Sequence, residues 1–213
     1  MTIRVGAIEV SHWHALHDAA YLRHLIAMPD VELVAIQDSD ASLVARRAAE
    51  VGSPPTFTDY RKMLASTRPD FVVALGRHRE MAAIAHDLLD QGYPFLMEKP
   101  MGVNAPEVEA VAAKAARLDA FVAVPLAQRY GPFATRAREL RPRRNSHNEG
   151  RDHEGRHRPR RRDLPERPHP CTLFHRSAGC PLDHWRRGAA PPISVHDLRA
   201  VVRLIDQAYE RAG

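Results

Sequence analysis

Lys99 is the residue whose neighbours in sequence best equip it for chemistry. It stands between Glu98 and Pro100, directly after the apolar run 93–97. A lysine at the end of a buried strand, partly desolvated, can manage the proton of a reacting hydroxyl group. Glu98 can hold the ammonium or order the loop, and Pro100 fixes the backbone. Asp38 ends a second apolar run, 31–36, where a carboxylate can accept hydrogen bonds from a ligand's hydroxyls. His12, His14 and His17 lie close together, with no regular spacing and no carboxylate partner to fix a geometry, so no metal is expected. Cys171, His175, Cys180 and His184 are zinc-type residues at a spacing that matches no finger, and again no metal is expected.

The elements that must position these groups alternate along the first 135 residues. Strands are expected over 3–8, 31–36, 71–75, 93–97 and 121–124. Helices are expected over 14–28, 41–51, 58–64, 80–90 and 104–118. Asn104-Ala105-Pro106-Glu107 reads as a helix start, with Asn as cap, Pro in the first turn and Glu towards the positive end of the dipole. Such alternation implies an α/β fold with a parallel sheet and right-handed crossovers, in which ligands bind beyond the carboxyl ends of the strands. Asp38, Gly76, Glu98-Lys99-Pro100 and Gln128-Arg129 all fall at those ends.

The chain changes character near Leu140. Residues 141–190 hold 13 Arg and no Lys against 6 acidic residues, a net of +7, whereas the rest has 18 basic against 20 acidic residues, a net of −2. The overall charge of +5 therefore belongs to one segment. That segment has no Val, Ile, Met or Tyr with which to build a core, so residues 136–190 are expected to be poorly structured. Arg, Pro, His and Gly without Lys or Ile is what a wrong reading frame of GC-rich DNA gives, and a frame-shifted stretch is the preferred explanation. With only Phe174 and Trp185 available for stacking, nucleic acid is not an expected partner. From residue 191 an amphipathic helix is expected, over 196–212. Three units follow: 1–135, 136–190 and 191–213. Two cysteines do not make a disulfide scaffold, and a cytoplasmic location is the simplest expectation. No apolar run approaches the roughly 18–20 residues of a membrane span, so no membrane partner is expected.

The stretch 88–101, with its Glu98-Lys99-Pro100, resembles the signature of the Gfo/Idh/MocA oxidoreductases. Phe57-Thr58-Asp59-Tyr60, Gln128-Arg129-Tyr130 and the final segment from Pro191 fit the same resemblance. It implies a Rossmann-like dinucleotide-binding domain over 1–135, followed in this chain by the poorly structured basic segment, and a C-terminal helix. It also implies NAD or NADP as cofactor, hydride transfer with a sugar, polyol or related hydroxy substrate, and Lys99 as the catalytic residue. The cofactor would lie against Ile8, Glu9, Val10, Ser11 and His12 in the first turn and against Asp38. It would also meet Leu75, Gly76 and Arg77, then Glu98, Lys99 and Pro100, and finally Gln128 and Arg129. Asp38, placed for the ribose hydroxyls, favours NAD because a 2′-phosphate would be repelled.

Two departures temper these implications. The glycines of the G-x-G-x-x-G turn are replaced by Glu9, Ser11 and His14, which leaves altered loop geometry and loss of binding both open. Residues 141–190 stand where the family has a larger α/β substrate domain, so the enzyme is expected to be truncated, and both an active and an inactive chain stay open. The alternatives are a non-catalytic nucleotide-fold binding protein and a nucleic-acid binder through the Arg-rich segment. Association through the missing sheet is not expected.

Overall fold

The computed structural model describes residues 2–17, 20–126 and 180–212. Gln128, Arg129, Cys171 and His175 lie outside the described residues, as does the expectation for 136–179.

Short runs of β-branched and aliphatic residues form six strands: β1 (Ile3–Ile8), β2 (Val31–Gln37), β3 (Thr56–Phe57), β4 (Phe71–Ala74), β5 (Phe95–Met97) and β6 (Val122–Ala123). They pair in the order β3-β2-β1-β4-β5-β6, all parallel. The order reverses between β1 and β4, so the loops after those two strands open a crevice at the carboxyl end of the sheet. β1 and β4 are buried at nearly every position, as central strands covered on both faces must be.

The helices are α1 (Tyr21–Ala27), α2 (Ala41–Glu50), α3 (Tyr60–Thr67), α4 (His78–Asp90), α5 (Ala105–Arg117), α6 (Pro181–Arg186) and α7 (Val195–Ala212). Their starts follow local chemistry. Asp40 and Asp59 each accept two backbone N–H bonds at the mouths of α2 and α3, and Asn104 accepts from Glu107 N–H at the mouth of α5. One face of the sheet packs on α3, α4, α5 and α7 through Met63, Met81, Leu88, Val108, Val111, Leu198 and others. The other packs on α1, α2 and α6 through Leu22, Leu25, Val44 and Leu182.

Three expectations are corrected. The single helix over 14–28 is divided: a 3-10 turn covers Trp13–Ala15, and α1 starts only after Ala20, whose backbone is left-handed at φ 43°. The two-residue β3 was not foreseen, because Thr56-Phe57 is too short to show a period. Order also returns earlier than residue 191. Cys180 and Leu182 are fully buried, and the Trp185 ring lies 5.6 Å from that of Phe71. A segment with few apolar residues still anchors where each one finds a gap on a preformed sheet face.

The C-terminal part is tied to the sheet and to α5. Val124 N–H donates to Ile193 C=O at 3.0 Å, and Ser194 forms an antiparallel bridge with Ala123. Asp206 accepts from Ala105 N–H at 2.7 Å at the start of α5, and Arg203 pairs with Glu109.

Candidate functional site

The loops that follow β1, β4 and β5 meet at the carboxyl end of the sheet. Between β5 and α5 the chain turns through Glu98-Lys99-Pro100, and the Lys99–Pro100 peptide is cis. Glu98 is 1% exposed, and its backbone N–H continues the ladder to Ala74 C=O at 3.0 Å. Its carboxylate is held from three directions. Tyr21 O–H donates to Oε1 at 2.8 Å, His14 Nδ1 lies 2.5 Å from the same oxygen, and Lys99 N–H donates to Oε2 at 3.0 Å. Burial and the adjacent carboxylate push the Tyr21 phenol far above its ordinary range, so it stays a donor. Of the two roles expected for Glu98, ordering the loop is the one these contacts serve.

Lys99 itself is exposed. The partial desolvation expected of it is not provided by the described residues, because the strand buries Glu98 and delivers the next side chain to the surface.

The loop after β1 keeps a left-handed backbone at the first fingerprint position without a glycine. Glu9 has φ 57°, the left-handed region that an L residue enters at a cost of about 1–2 kcal/mol. It is 4% exposed; its Oε1 accepts weakly from Gln37 Nε2 at 3.4 Å. Its Oε2 makes no hydrogen bond and lies 4.0 Å from Arg77 Nε. Burial first, then repulsion from Asp38, raises its carboxyl above the usual range.

The amides of this loop are already committed. Glu9 N–H donates to Gln37 Oε1 at 3.2 Å and Val10 N–H to Gln37 C=O at 3.1 Å. Ser11 N–H donates to Asp38 Oδ2 at 2.7 Å and His14 N–H to His12 Nδ1 at 3.1 Å. His12 N–H and Ala15 N–H close the turn onto Glu9 C=O and His12 C=O.

Asp38 is fully buried rather than open to a ribose. One oxygen serves Ser11 and the other accepts from Asp40 N–H at 3.1 Å. Ile8, Val10 and Leu75 are also fully buried, with their side chains in the core. Any ligand contact they make is through backbone. Gly76 has φ 45°, and a Cβ there would stand 2.8 Å from Met81 Cγ, so glycine is required. Arg77 is exposed and precedes α4. Pro100 is half-buried beside Lys99.

The three histidines separate. His17 stacks on Trp13 with ring centroids 4.1 Å apart. His12 and His14 instead meet Glu98, so the carboxylate partner missing in sequence is supplied from a residue 84 positions away. Burial lowers the His12 pKa against the opposing pull of Glu98.

The chain matches the oxidoreductase family Gfo/Idh/MocA, NAD-binding Rossmann fold, over residues 5–125. It belongs to that family. Solved structures agree on the fold. A dehydrogenase from Chromobacterium violaceum shares 23% identity with a TM-score of 0.58, covering 65% of this chain and 40% of its own. Myo-inositol 2-dehydrogenase from Lactobacillus plantarum shares 20% with a TM-score of 0.58, covering 66% and 41%. A Gfo/Idh/MocA family oxidoreductase from Vibrio cholerae shares 24% with a TM-score of 0.57, covering 64% and 42%. The chain thus spans about two-fifths of the length of the structures it resembles. No curated protein matches it.

The family's cofactor is a dinucleotide, and the residues of the first turn do not fit one. A pyrophosphate is ordinarily held by loop N–H groups and a helix N-terminus. Here the Ser11 and His14 amides are spent on Asp38 and His12, a buried carboxyl occupies the first glycine position, and α1 does not begin until Tyr21. A cavity of about 980 Å³ lies at the amino ends of β5 and β6, lined by Tyr93, Pro94, Phe121 and Trp185, away from all of these groups. No helix among the described residues is long and apolar enough to cross a membrane.

Proposed function

We propose that this chain is a binding protein on the nucleotide fold of the Gfo/Idh/MocA oxidoreductases, working at the same strand ends without transferring hydride. The observation that carries the reading is the closed first turn, in which the Ser11 N–H is held by Asp38 at 2.7 Å. Opening it would leave the buried Asp38 carboxylate without that donor, a penalty a dinucleotide must overcome before it gains a contact. Glu9 adds a buried negative group where phosphate charge would come.

A second reading is favoured by the turn after β5. Glu98-Lys99-Pro100 holds the place the family gives it, and Lys99 stands exposed at the strand end, where its ammonium can meet a substrate hydroxyl. On this reading the chain is the nucleotide half of a NAD(P)-dependent oxidoreductase acting on a sugar, polyol or related hydroxy compound, truncated in its substrate domain.

Fluorescence titration of the full chain with NADH decides between them. No saturable signal at high micromolar protein is the expected result. Saturable binding that Glu9→Arg strengthens would overturn the closed-turn argument and favour the second reading.

A further inference from the structure

We propose that His12, His14 and Glu98 bind one divalent first-row transition-metal ion of the zinc or cobalt kind. One ring nitrogen from each histidine and one carboxylate oxygen already lie within 4.8 Å of one another. Zinc-type ions hold such donors at about 2.0–2.2 Å, which places donors roughly 3–3.5 Å apart, so the three must draw together on binding.

The three groups come from two elements that the sheet brings together. β1 delivers His12 and His14 in its following turn, β4 lies beside it, and β5 delivers Glu98. The two imidazole rings stand edge-on, with centroids 4.9 Å apart. Two histidines and one carboxylate suit ions of borderline softness and leave coordination positions open for water or a ligand oxygen.

The carboxylate is also pre-oriented. Tyr21 O–H and Lys99 N–H hold its two oxygens at 2.8 and 3.0 Å, in the manner of the outer partners that fix metal ligands. His14 Nδ1 and Glu98 Oε1 are 2.5 Å apart, close enough to share a proton. The cation takes the place of that proton, which leaves to solvent. His12 supplies one of its two ring nitrogens, and its Nδ1 accepts from His14 N–H at 3.1 Å.

The inference goes beyond the binding-protein reading, and the NADH titration leaves it untouched, since these three side chains can take a metal whether or not a dinucleotide binds.

The test uses the full chain stripped of metal, titrated with Co²⁺ by absorbance and with Zn²⁺ by calorimetry. One equivalent is expected, with Co²⁺ ligand-field bands of a nitrogen–oxygen site. His12→Ala, His14→Ala and Glu98→Gln should each weaken binding by about tenfold or more, while His196→Ala leaves it unchanged. A variant without a cooperative melt is set aside, and the remaining two decide. Absence of binding at millimolar Co²⁺, or undiminished binding in any folded variant of the three, overturns the proposal; the second result would place the metal elsewhere in the chain.

Discussion

The turn after β1 and the turn after β5 lie two strands apart on the same sheet edge, yet they stand in opposite relation to the family. The β5 turn carries Glu98-Lys99-Pro100, the tripeptide on which the resemblance rests. The β1 turn has exchanged all three fingerprint glycines and still holds a left-handed backbone at the first of them, with Glu9 at φ 57°. Backbone course is therefore imposed by the strands and the packing around them, whereas ligand competence depends on which side chains and amides remain uncommitted. On the proposed reading, a Rossmann sheet keeps its switch point and closes it to the ligand that switch point ordinarily serves.

The largest way to break this comparison is at the group that joins the two turns. Glu98→Ala should destabilise the fold by about 3 kcal/mol, because it strips His14, Tyr21 and the Lys99 amide of a buried acceptor. Chemical denaturation with tryptophan fluorescence reads it. A loss near zero would mean that the two turns are energetically independent.

Next comes Asp38→Ala. If Asp38 is structural, as its bonds to Ser11 and Asp40 indicate, the cost is about 2 kcal/mol of stability without any ligand present. A stability-neutral variant would return Asp38 to the ligand-facing role that its strand-end position suggests.

Glu9→Gly should act in the opposite direction. It relieves a left-handed backbone and removes a buried carboxyl, for a gain of about 1–2 kcal/mol at neutral pH. Glu9→Gln separates the charge from the backbone. Because the folded-state pKa of Glu9 is raised above 4.5, the folded protein binds its proton more tightly than the unfolded chain. Glu9's contribution is thus fully present below pH 4.5 and is lost as pH rises through the folded value. The advantage of Glu9→Gln over the parent should therefore be largest at neutral pH and shrink as pH falls towards 4.5, as denaturation series at several pH values would show. A constant difference would assign the strain to the backbone alone.

The smallest effect concerns the exit of the β5 turn. Asn104→Ala removes the side-chain bond to Glu107 N–H at the mouth of α5 and should lower stability by about 1 kcal/mol.

Much of this was legible in the chain. Asn104-Ala105-Pro106-Glu107 announced α5, because capping is a contest among adjacent residues. The apolar runs announced β1, β2, β4 and β5, because a strand covered on both faces must be apolar throughout. Other features were not legible. The break before α1 depends on how the 3-10 turn at Trp13–Ala15 seats against the sheet, and β3 exists only because β2 offers it an edge. Cys180 and Leu182 reach the core from a segment whose composition promises none.

By itself the sequence determined the family, the alternation of strands and helices, and the loss of the glycine turn, since each is written in neighbouring residue types and their spacing. What those residues face comes from the folded chain: Asp38 meets Ser11 and Asp40, Lys99 meets solvent, and His12 and His14 meet Glu98. The reason is that a buried polar group must find its partner among whatever the sheet brings within about 3 Å, and strand order, not chain order, sets that list.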